Sequence, residues 1–157
     1  MTSTADKPRL SRSTRCWLCV YIVWVAFMWG HSLVPGAESE AESDVFVSFL
    51  LPLFDALGIT NATTMTLIVR KSAHFLGYAV LGVSAYMVFS KLHVERHLPR
   101  WAGVLAACVV PCIDETIQLF VPGREGMLAD VLLDLAGVTT GALVAWTVIR
   151  SRRVAQK

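Results

Sequence analysis

The chain has 157 residues, room for one compact domain and not comfortably for two. With 55% hydrophobic and 17% charged residues and a mean hydropathy of +0.56, it departs from soluble domains, where charged residues make up about 25%. The net charge of +2 says little about partners and gives no reason to expect nucleic acid.

Residues 1–15 form a basic tail with Lys7, Arg9, Arg12 and Arg15. The first predicted span covers about 16–34 and is built on WLCVYIVWVAFMW, close to the roughly 20 apolar residues a membrane helix needs. A cleaved signal peptide is the competing reading of this start. The apolar run is long for one, and LVPGA is a poor cleavage site, so a retained helix is expected. The acidic run AESEAESD then reads as a solvated loop. VFVSFLLPLFDAL (45–57) is too short to span; it is expected to lie in the interface or dip partway in, bent at Pro52 and ended by Gly58.

The second span covers about 67–90, the third 101–121 and the fourth 128–149, with the turn PGREG joining the last two. A second basic tail fills 151–157. No alternating pattern competes, so the predicted class is an all-α membrane protein: a four-transmembrane-helix bundle forming one membrane domain over 16–150. Eleven of the fourteen lysines and arginines fall in the N-terminal tail, the 91–100 loop and the C-terminus. The positive-inside rule therefore predicts that both termini are cytoplasmic. Arg70, Lys71 and Arg124 break the rule, and all three lie at predicted outer helix ends beside acids.

The four cysteines, 16, 19, 108 and 112, sit in or beside apolar runs and read as packing residues; nothing completes a C-x-x-C zinc site. Trp17, Trp101 and Trp146 read as interface anchors. His31 reads as an interfacial histidine, His93 and His97 as solvated. Met87 reads as packing, and so, on its own, does Tyr78.

Helical spacing gathers the remaining polar residues. Lys71, His74 and Tyr78 line one stripe of the second span, Asp114 and Gln118 one face of the third with Glu115 adjacent. Asp130 and Asp134 share a face of the fourth, continued by Gly137 and Gly141, which would permit close helix packing. An ionised side chain at mid-membrane costs about 2.5–3.5 kcal/mol on insertion scales. The economical arrangement is one cluster in which Arg70, Lys71, His74 and Arg124 meet Asp114, Glu115, Asp130 and Asp134. Such a network could also be purely structural, holding helices in register. Two carboxylates and a histidine could bind a divalent ion, but the neighbouring cations argue against it. No metal and no cofactor is expected.

RKSAHFLGYAVLG, followed by DETIQLFVPGREGMLADVLLDLAGVTTG, resembles the VanZ-like family of small bacterial membrane proteins, named for a teicoplanin-resistance protein. Lys71, His74, Tyr78, Glu115, Gln118, Arg124, Asp130, Gly137 and Gly141 match its three-part pattern, and GHSLVPGAESEAES resembles its serine-bearing outer segment, with Ser32 and Ser43 in place. The likeness covers nearly all of 17–150. Asp134 departs from it, standing where the family usually has asparagine; an ionised aspartate cannot donate the amide's hydrogen bond. The resemblance implies a multi-pass protein of the bacterial cytoplasmic membrane linked to glycopeptide tolerance or envelope lipids, and it assigns no reaction.

Three functions remain open. The first is an outward-facing polar pocket that binds an anionic envelope component, a lipid phosphate or peptide carboxylate, through Arg70, Lys71, Tyr78, Arg124 and the acids around them. The second is an enzyme on such substrates, with His74 and Asp130 or Glu115 as acid–base pair; no nucleophile elbow, P-loop or H-E-x-x-H site is present. The third is a structural or transport role. Expected partners are membrane lipids, an envelope precursor or glycopeptide, and a second copy as a homodimer.

Overall fold

The computed structural model describes residues 9–155, and these are helical with no strand among them. Five helices follow in order: α1 (Arg12–Ser32), α2 (Gly36–Ala56), α3 (Ala62–Arg96), α4 (Arg100–Gln118) and α5 (Leu128–Ala155). Lys7 and Lys157 of the basic tails, and the side chains of Arg100, Trp101 and Arg153, lie outside the described set.

α1, α3 and residues 128–152 of α5 are long and apolar enough to cross a membrane. α4 is not in that group; its 19 residues end in Asp114, Glu115 and Gln118. α3 has 35 residues, or about 52 Å at 1.5 Å per residue. It exceeds the expected span at both ends. Most of the predicted 91–100 loop is therefore helix, ending where His97 adopts a left-handed conformation at φ 54°.

The acidic run is also helix, which corrects its reading as a solvated loop. α2 begins at Gly36, and its inward positions are Gly36, Ser39, Ser43 and Phe54, with Val47 and Leu50 half-buried between them. That spacing is one helical stripe, and the small residues let it pack while the acids point outward. The cysteines need a correction too. Cys16, Cys19 and Cys112 lie exposed on helix surfaces, and only Cys108 is half-buried.

Both ends of the described chain lie at the same end of the bundle. The Ser11 side chain caps α1 by accepting from Thr14 N, while Ser11 N and the Thr14 hydroxyl donate to Glu95 near the end of α3 (3.1 and 2.6 Å). α1 thus starts where α3 ends. α5 runs parallel to α3: Lys71 pairs with Asp130, His74 approaches Asp134, and Gly141 packs on Ala79.

Glycine permits this pairing. A Cβ on Gly141 would lie 1.8 Å from the Ala79 carbonyl oxygen, and one on Gly137 would lie 2.5 Å from that of Phe75. Across the interface, Gly82 meets the Val138 carbonyl in the same way, at 2.0 Å. Small residues bring the backbones together, and short side chains such as His74 and Asp134 can then meet.

Below that contact Met28, Tyr78, Leu81, Ala85, Ala107, Val110 and Val138 form the apolar core. α1 is fastened to it by its aromatic residues. The Trp24 indole donates to the Gly77 carbonyl at 2.8 Å, the Tyr21 hydroxyl to Ala106 at 3.2 Å and the Trp29 indole to Val110 at 3.3 Å.

Candidate functional site

The ionisable residues gather at the end of the bundle opposite the termini. Asp114, Glu115 and Gln118 occupy the last turns of α4 and are all buried. The Ser32 hydroxyl, on the last residue of α1, donates to Asp114 Oδ1 at 2.5 Å, and Gln118 Nε2 donates to Asp114 Oδ2 at 3.3 Å. Glu115 accepts from Gln118 Nε2 at 3.5 Å and from the Met127 backbone N–H at 2.9 Å. That last bond ties the start of α5 to α4, and the close packing of Gly126 on the Glu115 carbonyl keeps the connection short.

α3 and α5 supply the other half. Lys71 forms an ion pair with Asp130. His74 Nδ1 lies 3.6 Å from Asp134 Oδ1, too far for a hydrogen bond, so the nearest acid on α5 to His74 is Asp134 and not Asp130. Asp134 is fully buried, and neither of its oxygens has a hydrogen-bond partner. The Tyr78 hydroxyl is also buried and unpartnered; it faces Asp114 outside hydrogen-bond geometry. His74, Asp114, Glu115 and Asp134 each present a donor atom, all within 4.8 Å of one another, a spacing that could hold a metal ion.

The arginines depart from the expected single ionic cluster. Arg124 makes no ion pair among the described residues; its Nε donates to the Val34 carbonyl at 3.1 Å and Nη2 reaches that of His31 at 3.5 Å. The cause is local. Val121-Pro122-Gly123-Arg124 closes a tight turn, with Arg124 N bonded to the Val121 carbonyl and Gly123 at φ 73°, as a type II turn requires. The turn holds Arg124 under the end of α1, where the final carbonyls lack intrahelical partners. Arg124 is 7% exposed and its Nη1 is unpartnered. Burial, and then the like charge of Arg70, pull its pKa below the usual arginine value against the opposing effect of Asp114; an arginine stays charged regardless. Arg70 is half-buried and has no ion pair or hydrogen bond among the described residues.

His31 pairs with Glu42 of α2 at 2.9 Å and so helps close this end. Two shallow grooves flank the cluster. One, of about 350 Å³, is lined by Lys71, Ser72, Phe75, Leu76 and Leu133. The other, of about 330 Å³, runs between α1 and α3 past Trp24, His31, Ser32 and His74.

The acids are thus sealed by packing, while Lys71, His74 and His31 are reachable at the edges. Ser32 and the Met127 N–H join the site without any signal from helical spacing. Only the likeness of the GHSLVPG segment pointed to Ser32, and a backbone donor leaves no mark in a sequence.

Helices of membrane-crossing length with ionisable groups gathered inside one end define a helical membrane protein. The chain matches the VanZ/LLP1 family over residues 17–150 and belongs to it. No curated protein and no solved structure matches.

Proposed function

We propose that the protein holds an anionic component of the cell envelope, a lipid phosphate or a peptide carboxylate, at the outer end of a four-span bundle whose termini are cytoplasmic. α4 is the fourth crossing element. Its 19 residues reach about 28 Å, and Val104, Leu105, Val109 and Ile113 are exposed on its surface as a lipid-facing helix requires. The cluster lies at the opposite end from Arg9, Arg12, Arg15 and Arg96, which supports an outward-facing site.

The observation that carries the reading is Arg124: a buried guanidinium with one nitrogen unpartnered, next to an Arg70 that has no ion pair among the described residues. Two cations that form no ion pair with a carboxylate among the described residues invite an oxyanion, and the planar fork of arginine suits two oxygens. Lys71 sits at the mouth of the adjacent groove, and a lipid could enter between helices there. The resemblance to a family named for a teicoplanin-resistance protein extends this reading to glycopeptide susceptibility.

The test is native mass spectrometry of the protein extracted with its lipids. Wild type should carry an anionic lipid, and Arg124→Ala and Lys71→Ala should lose at least ten-fold of it. Unchanged lipid content in both variants would end the proposal. An enzyme is the second reading, favoured only by the closeness of His74 to Asp134. It would overtake the first if the protein turned over radiolabelled polyprenyl phosphate and His74→Ala abolished the turnover.

A further inference from the structure

The buried half of the cluster lacks something the anion site would not supply. Asp114, Glu115 and Asp134 place three carboxylates in a sealed interior. Lys71 pairs with Asp130, and Arg124 donates to the carbonyls of His31, on α1, and Val34, just beyond it. No lysine or arginine side chain forms an ion pair with any of the three acids among the described residues. Three charges of one sign without a cation are costly in such a place. The cations expected to argue against a metal thus form no ion pair with these acids among the described residues.

We propose that His74, Asp114, Glu115 and Asp134 form a binding site for one divalent transition-metal ion, of the Mn²⁺ or Zn²⁺ kind. Four donors converge from three helices within 4.8 Å of one another. Asp134, with no exposure, has two unpartnered oxygens, and His74 Nδ1 is also buried and unpartnered. Two ligands of a tetrahedral ion with bonds of 2.0–2.1 Å lie about 3.3 Å apart. The His74–Asp134 separation of 3.6 Å is close to that.

The other two carboxylates are already oriented. Ser32, Gln118 and the Met127 N–H each bond to an oxygen of Asp114 or Glu115, as groups behind a metal ligand do. Each carboxylate oxygen has a second lone pair free for an ion.

One imidazole with three carboxylates, and no thiolate, suits Mn²⁺ or Zn²⁺ better than Mg²⁺ or Ca²⁺, which favour oxygen alone. Charge also balances: an ion of +2 among three carboxylates leaves one negative charge, which Arg124 opposes from nearby. The inference does not rest on the anion reading: none of its four donors is Arg70, Lys71 or Arg124, and Arg124 enters only as a neighbouring charge.

The experiment uses the full-length protein in detergent, stripped with chelator, then loaded separately with Mn²⁺, Zn²⁺ or Mg²⁺. Bound metal is counted by mass spectrometry after desalting. Wild type should take up about one equivalent of Mn²⁺ or Zn²⁺, and His74→Ala and Asp134→Asn should lower the affinity at least ten-fold. Asp44→Asn, a change on α2 away from the cluster, should bind as wild type does.

Wild type that takes up no metal, with an infrared band of protonated carboxylic acid that Asp134→Asn removes, overturns the proposal in favour of protons. So does full binding by His74→Ala and Asp134→Asn. Should those variants not fold, X-ray absorption of the zinc-loaded wild type decides. A shell of nitrogen and oxygen with one imidazole supports the site, and sulfur ligation or water alone overturns it. Lipid retention by Arg124 and Lys71 variants is a separate readout, so either proposal can fail without the other.

Discussion

At the scale of residues, the charged groups differ in whether a lysine or arginine meets them. Lys71 and Asp130 form an ion pair, with side chains 35% and 14% exposed, while Asp114, Glu115 and Asp134 have no such partner among the described residues. Exposed pairs are worth about 0–1 kcal/mol, and breaking a buried one costs about 3–5 kcal/mol; this half-covered pair should fall near 1–2 kcal/mol between those limits. A double-mutant cycle with Lys71→Met and Asp130→Asn, followed by denaturant unfolding in detergent, should show a coupling of that size; additive losses would deny it. The stripe of Lys71, His74 and Tyr78 and the acids of α4 and α5 could be placed on shared faces from spacing alone. What spacing could not give was the partner of each group. Arg124 was expected on a carboxylate and went to the carbonyls of His31 and Val34, because a turn brought it under a helix end that no sequence pattern marks.

At the scale of elements, α5 depends on its contact with α3. Gly141→Ala puts a methyl group where the Ala79 carbonyl already sits, so α5 must shift and carry Asp134 away from His74. Overpacking of this kind costs about 1–3 kcal/mol, although alanine gains about 1 kcal/mol of helix propensity. Gly30→Ala meets nothing within 4 Å and keeps the propensity gain. Thermal unfolding in detergent should show Gly141→Ala below wild type and Gly30→Ala at or above it; equal shifts would contradict the packing argument. The apolar runs made α1, α3 and α5 legible because twenty oily residues have few other uses. α2 was half missed. The charge of AESEAESD masks the stripe of Gly36, Ser39 and Ser43, which continues through Val47 and Leu50 to Phe54 across the boundary between acidic and apolar segments.

At the scale of the whole molecule, the chain separates its two chemistries along the bundle axis. Basic side chains of α1 and the end of α3 collect at one end, and the buried acids with their histidine and arginine collect at the other. Large apolar side chains cover the outside between them, such as Ile22, Val23 and Phe27 on α1 and Leu132, Leu143 and Val148 on α5. Such a surface belongs in lipid. The grooves beside Lys71 and His74 are lined in part by Phe27, Leu76 and Val80, exposed apolar side chains of that surface; under the proposed function they would be the route by which a lipid reaches the site.

The most direct measurement is an experimental structure of the protein extracted with its own lipids. The account predicts an anionic head group with an oxygen within about 3.2 Å of Arg124 Nη1 and contacts to Arg70 or Lys71. Arg124 Nη1 bonded to a protein carboxylate, with lipid only along the apolar helix faces, would contradict it.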